Sequence, residues 1–349
     1  MAVARVELVP GYSVSRLTKG NWQLAERHGP KVERAEAVDA MRRFVEAGIT
    51  NFDCADHYVG VEELIGAFRT AHPDLARQLT VQTKLVPDRD TLRGIKRADI
   101  ELIVDRARQR LGQDTLDMVQ FHWWDWAIPG HIESLLWLRD MSQEGKLRLI
   151  GVTNYDVPHL KEAIEADVPV VSHQVQYSVL DRRVENGMAA FCREHGIHLQ
   201  CYGTVAGGFL SDAWLDAHAP ETPADRSQAK YRLIIEEFGG WELFQELLDV
   251  LGSVARRHEV SITAIAIRWI LDRPGVATAI VGARTDRHLA DLLAIDAIRL
   301  DDADRAAIAS VVSRADGPSG DCYSVEREPG GVHGALNWTN QNLKGAGAR

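Results

Sequence analysis

Cysteine is sparse in this chain and positive charge is in deficit. The four cysteines among 349 residues (Cys54, Cys192, Cys201 and Cys322) have no metal-like spacing and cannot make a disulfide framework, so they read as reduced thiols of a cytoplasmic protein. Lysine and arginine total 40 against 50 aspartates and glutamates, a formal charge of −10. That balance argues against a nucleic-acid or anionic-membrane partner and still allows a local basic pocket for a phosphate. No apolar run is long enough to span a bilayer, and the opening residues lack the apolar core of a signal peptide. A Gly-x-Gly-x-x-Gly turn after the first strand is missing, which leaves Rossmann-type dinucleotide binding without support. Paired histidines or bridging carboxylates at strand ends are missing too. A metal site is therefore not expected, including at His195 and His198, where one lies on a helix end and the other on a strand.

What the chain does have is one unit repeated: apolar residues at helical spacing, a glycine stop, then a short apolar run. Arg34 to Ala47 puts Val38, Met41 and Val45 on roughly one face, Gly48 stops it, and Ile49 to Phe52 follows. The unit returns with Ile100, Ile103, Ala107 and Leu111 before Gly112 and Leu116 to Phe121, and with Ile132, Leu135, Leu138 and Met141 before Gly145 and Leu147 to Val152. It returns again with Val184, Met188, Phe191 and His195 before Gly196 and Ile197 to Tyr202, and with Ser261 to Leu271 before Pro274, Gly275 and Val276 to Val281. Leu79 to Thr83 and Val170 to Val175 follow helices without a glycine stop. With Leu17 to Trp22 as the first, eight strands alternate with helices, which predicts an α/β fold, a (β/α)8 TIM barrel over about residues 17–315 in a single domain, 1–349.

A β-hairpin over 6–16 precedes the barrel, and long loops are expected at its carboxyl mouth. The stretch from Gly203 to Gly240 is too long for an ordinary connection and reads as a lid or a binding loop. The tail, 316–349, with Tyr323 and Trp338, reads as a cover for the mouth, removable at the cost of substrate choice but not of thermal midpoint.

The polar residues leaving the strands carry the chemistry: Asp53, Lys84, His122, Asn154, Gln174 and Tyr202. In a barrel these ends converge on one mouth. A lysine between Asp53 and the phenol of Tyr58 keeps its charge and favours phenolate, so the spacing predicts a Tyr58 pKa lowered from about 10 and a usable general acid. His122 can hydrogen-bond the same substrate oxygen, and the amides of Asn154 and Gln174 suit the carboxamide of a nicotinamide. Trp22, Trp123 and Trp124 are expected to line an apolar or aryl substrate pocket.

At this point the chain resembles the aldo-keto reductases. The resemblance is carried by Asp53-Cys54-Ala55 with Tyr58, Glu62 and Gly66 behind it, Lys84 in Val81-Gln82-Thr83-Lys84, His122 in Gln120-Phe121-His122-Trp123, Gly151-Val152-Thr153-Asn154, and Gln174 in His173-Gln174-Val175-Gln176-Tyr177. It implies NADP(H) bound without a Rossmann motif and reversible reduction of a small carbonyl compound, with Tyr58 as proton donor tuned by Asp53 and Lys84, and His122 orienting the carbonyl. It implies that Thr153, Asn154 and Gln174 hold the carboxamide and that Tyr202 stacks on the nicotinamide. Gly203, Thr204, Val205, Gly207, Gly208 and Leu210 would follow the pyrophosphate, and Gly282 with Arg284 the 2′-phosphate. His288, Asp291 and Leu292 depart from the common pattern at the adenine end. The alternative is a regulatory subunit that binds NADPH through the same barrel and turns over slowly. Oligomeric state is not legible.

Overall fold

The computed structural model describes residues 3–26 and 32–336, so Trp338 lies outside the described residues. β1 (Arg5–Val9) and β2 (Tyr12–Ser15) form an antiparallel hairpin. Eight parallel strands follow: β3 (Leu17–Gly20), β4 (Asn51–Asp53), β5 (Thr80–Leu85), β6 (Leu116–Phe121), β7 (Leu147–Thr153), β8 (Val170–Gln176), β9 (His198–Tyr202) and β10 (Val276–Gly282). They run in sequence order around a closed barrel, sealed where β10 pairs with both β9 and β3. The hairpin lays Leu8, Tyr12 and Val14 against Met118 and Ala277, closing the amino-terminal end of the barrel. Only the carboxyl end is left for chemistry.

The barrel interior is partly polar, and its polar side chains bond to one another. Asn51 donates to Thr18, the Thr18 and Thr278 hydroxyls lie 2.8 Å apart, and Gln120 donates to Gln82 at 2.9 Å. Each of these side chains is buried, so pairing is what makes the burial tolerable. The outer helices start on side-chain caps where the sequence supplies them: Asp156, Asp225, Ser261 and Asp301 each accept from the backbone N–H three residues on. Among the described residues no helix is long and apolar enough to cross a membrane.

Two elements differ from the sequence reading. The periodicity through Val184 to His195 predicts one helix, but Gly187 at φ 112° divides it into a turn at Arg183–Glu185 and a helix at Met188–Glu194. The stretch after Gly203 is no open lid. It contains a helix, Arg226–Phe238, that buries Tyr231, Ile234, Ile235 and Phe238 at helical spacing.

Residues 316–336 run back to the mouth, where Tyr323, His333 and Leu336 line the cavity, and they are fastened there. Tyr323 and Glu326 are buried. Glu326 takes two hydrogen bonds from Arg183, at 2.8 and 3.0 Å, and Arg183 also binds Asp181. All three side chains are shielded from water.

Candidate active site

β4 and β5 set the centre of the site. Their parallel pairing sets Asp53 opposite Gln82 with Lys84 two residues further on at the mouth, where Lys84 Nζ donates to both Asp53 oxygens at 2.7 and 2.8 Å and to the Cys54 carbonyl at 3.0 Å. Burial works against the ammonium, but Asp53 and Tyr58 more than offset it and hold the Lys84 pKa above its usual value. Lysine is therefore a fixed cation here, 5.0 Å from the centre of the Tyr58 ring. Tyr58 itself departs from the sequence reading. Burial pushes its phenol up to about 12; Lys84 pulls downward, and Asp53 adds a smaller upward push. Desolvation outweighs the neighbouring cation, so Tyr58 stands as a protonated phenol.

His122 leaves β6 across the cavity. Its Nδ1 lies 3.2 Å from the Thr153 carbonyl, which can only accept, so that contact assigns the ring proton to Nδ1. Burial, then the nearby Arg327 guanidinium, hold the His122 pKa well below its ordinary value, so the ring is neutral. Nε2 is consequently a lone-pair acceptor, and it is buried with no partner among the described residues. In this tautomer it can take a hydrogen bond from an alcohol hydroxyl, whereas the sequence reading has it orient a carbonyl.

A cavity of about 450 Å³ collects these groups. Of the residues picked out in the sequence, Trp22, Asp53, Tyr58, Lys84, His122, Trp124, Thr153, Asn154, Gln174, Tyr202, Gly203, Thr204, Val205, Gly207, Gly208 and Gly282 line it. Three do not. Trp123 is fully buried and its indole N–H bonds the carbonyls of Asp125 and Ile128, so it belongs to the core and not to a substrate wall. Leu210 is likewise a buried core residue. Arg284 sits beyond the lining with Nε 3.4 Å from the Gln23 carbonyl.

The remaining polar groups fit a nicotinamide cofactor. Gln174 Nε2 is committed to Asp53 at 2.7 Å, and Asn154 Oδ1 accepts from Tyr202 at 2.8 Å. What these two amides keep is one N–H2 donor on Asn154 and one oxygen acceptor on Gln174, the complement of a carboxamide. Thr204 is buried, and its hydroxyl has no partner among the described residues. Beside it Gly203 holds φ 70°, and a Cβ there would meet the Tyr231 hydroxyl at 2.2 Å. Gly203→Ala is expected to destabilise this loop and to weaken cofactor binding, as melting curves and fluorescence titration of the variant would show. The sequence reading missed His57, Arg226 and Lys230 in the lining. For Arg226 and Lys230 the signal was present in the helical spacing after Asp225; His57 stands next to Tyr58 in the loop after β4.

Comparison with known proteins decides the family. The model described as aldo/keto reductase family matches residues 16–313. The chain belongs to that family. Aldo-keto reductases are oxidoreductases that use nicotinamide cofactors, and this one carries the family's eight-stranded barrel. Aldo-keto reductase YhdN of Bacillus subtilis is 25% identical to it over 311 residues, covering 86% of this chain and 91% of that protein. An NADH-specific methylglyoxal reductase of Escherichia coli is 26% identical over 316 residues, covering 84% and 93%. A thermostable aldo-keto reductase solved with the inhibitor epalrestat superposes at a TM-score of 0.71 with 26% identity, over 88% of this chain and all of that one.

Proposed function

We propose that this aldo-keto reductase is a cytoplasmic enzyme that reduces an aldehyde or ketone to an alcohol reversibly with NADP(H), and that Tyr58 is its general acid. The carrying observation is the Asp53–Lys84 pair beside a protonated Tyr58, facing an unpartnered His122 nitrogen across one cavity. The bound nicotinamide supplies and takes back the hydride. Tyr58 Oη holds the proton that the carbonyl oxygen needs as it becomes an alcohol, and Lys84 stabilises the phenolate left behind. Trp22, 4.7 Å from Tyr58 between ring centres, and Trp124, edge-on to His122 at 4.4 Å, give the substrate apolar walls. Following NADPH absorbance against a panel of aldehydes, ketones and quinones tests the reading; a chain that oxidises NADPH with none of them is not this enzyme.

The preference for the phosphorylated cofactor rests on Arg284. Among the described residues it makes no ion pair, so its charge is available for a 2′-phosphate. Lys19, fully buried with Nζ donating to the Ala283 carbonyl at 2.9 Å, steadies the backbone one residue earlier. The NADH-specific relative in Escherichia coli makes cofactor choice a point to measure directly. Arg284→Ala is expected to weaken NADPH by about 1.5–3 kcal/mol and to leave NADH nearly unchanged in fluorescence titrations. Equal losses for both cofactors would make Arg284 a structural residue.

A further inference from the structure

His57 is a polar side chain set among the rings that surround Tyr58. Trp22 and Tyr58 lie 4.7 Å apart between ring centres, and the His57 ring stands edge-on to Tyr58 at 4.7 Å and 6.4 Å from Trp22. All three line the cavity and form one corner of it, around the phenol that meets the carbonyl. An apolar side chain would fill that corner as well as an imidazole does. Histidine stands there with its hydrogen bonding already fixed.

Asp56 fixes it. The Asp56 side chain is buried; one oxygen takes the backbone N–H of Val86 at 3.0 Å, just after β5, and the other takes the backbone N–H of His57 at 2.7 Å. That second oxygen also lies 3.1 Å from His57 Nδ1. A carboxylate can only accept, so the contact assigns the ring proton to Nδ1 and makes Nε2 a lone-pair acceptor. Among the described residues Nε2 has no hydrogen-bond partner.

We propose that His57, oriented by Asp56, determines specificity: its Nε2 accepts a hydrogen bond from a hydroxyl on the carbon beside the reacting carbonyl, so the preferred substrates are α-hydroxy aldehydes and ketones and, in reverse, vicinal diols. The inference rests on carbonyl reduction at Tyr58, as proposed above. With the carbonyl oxygen at the Tyr58 hydroxyl, the next carbon of the substrate falls beside the adjoining ring, which is His57. A hydroxyl there meets an acceptor polarised by the carboxylate behind it. A methyl group or an ether oxygen cannot donate and leaves Nε2 without a partner. Asp56 touches no substrate in this arrangement. It is a positioning residue, because without its charge the proton is no longer held on Nδ1.

Three ketones test the proposal on the cofactor-loaded protein. Hydroxyacetone carries the donor, butanone replaces the hydroxyl by a methyl group, and methoxyacetone keeps the electron-withdrawing oxygen but loses the O–H. The parent is expected to favour hydroxyacetone in kcat/KM, and His57→Leu to shrink its advantage over each of the others by about 10- to 100-fold, as for a hydrogen bond whose loss strands its acceptor. The change in ratio is the readout, since hydroxyacetone is the more reactive ketone even without a protein. Asp56→Asn is expected to shrink the ratio less. Should His57→Leu fail to fold, His57→Gln, which keeps an acceptor in its amide oxygen, is expected to hold part of the preference, and full loss or full retention of it there would count against the assignment.

Binding is read separately from turnover. With NADPH bound, which cannot oxidise an alcohol, propane-1,2-diol is expected to move the Nε2 signal of His57 in nitrogen NMR, and butan-2-ol to leave it in place; His57→Leu assigns the signal. A proton on Nε2, or a signal that the diol does not move, overturns the proposal. So does a ratio unchanged in His57→Leu, whether the rates hold or all three fall together, and so does reduction of other carbonyl compounds without hydroxyacetone. Each of these leaves the proposed reaction standing. A chain that reduces no carbonyl compound with either cofactor fails the reaction itself, and this inference with it.

Discussion

Tyr58→Phe is expected to lower carbonyl reduction by roughly 10²–10⁴-fold, the range for loss of a positioned general acid, while NADPH affinity stays within a few-fold. The substitution removes one hydroxyl from a partly buried ring whose apolar contacts with Trp22 remain, so folding should be little changed. The phenol's pKa near 12 makes the expectation sharper for the two directions. Reduction consumes the protonated form and should be flat through neutral pH. Alcohol oxidation needs phenolate, which is scarce, so its rate should climb as pH rises toward the phenol pKa.

Lys84→Met would remove the downward pull on that phenol and move the oxidation profile to still higher pH. It would also leave Asp53 buried without its cation, so the cleaner variant is Lys84→Met with Asp53→Asn, in which the charge imbalance is gone and the pH shift remains. Initial rates in both directions, with cofactor binding followed by fluorescence, separate these effects. Near-parent reduction by Tyr58→Phe would take the acid role away from Tyr58. His122, with its proton on Nδ1, could not take it over without changing tautomer.

The barrel was legible because its signals are local. A glycine after five of the apolar helical faces, such as Gly112 at φ 62° capping Arg97–Leu111, announces the strand to come, and the strand ends then name Asp53, Lys84 and His122 from the sequence alone. Quantities set by three-dimensional surroundings were not legible in the same way. The Asp53–Lys84–Tyr58 pattern suggests a lowered phenol pKa, but how much water is lost around the ring decides the sign, and burial wins. Trp123 and Trp124 are neighbours of one type in one loop; a half-turn of backbone sends the first into the core and the second to the cavity. The helix Arg226–Phe238 was readable from its period and was lost by treating a long connection as loop. The fastening of the tail depends on pairs such as Arg183 and Glu326, 143 residues apart, for which the sequence carries no spacing rule.

That pairing reverses the expectation that the tail can be removed at no cost to stability. Arg183→Met is expected to cost about 3–5 kcal/mol, because Asp181 would remain buried without its cation and Glu326 would keep only the more distant Lys230, at 3.9 Å. For a chain of this size that is a fall in thermal midpoint of order 10 °C. Deleting the chain from Asp316 should act in the same way. It strips Glu326 from Arg183, and it removes the Asp321 carboxylate that receives the Val157 N–H at 2.9 Å at the start of an outer helix.

The pH dependence identifies the cause. Burial alone would raise the Glu326 carboxyl, but Arg183 and, less strongly, Lys230 outweigh it and bring the pKa down to about 2. A depressed carboxylate contributes stability that is fully present above its ordinary value of 4.5 and is lost as pH falls from there toward 2. The parent should therefore lose stability steeply in that acid window. Arg183→Met should already have lost that contribution at neutral pH, and with the cation gone burial raises Glu326, so the variant's remaining pH dependence shifts upward. Adding Asp181→Asn and Glu326→Gln to Arg183→Met should restore most of the midpoint by removing the stranded charges. Melting curves of the parent, Arg183→Met, the triple variant and the truncated chain from pH 7 to 3 make the comparison, and a truncated chain that melts with the parent throughout would show that the tail covers the mouth without holding it.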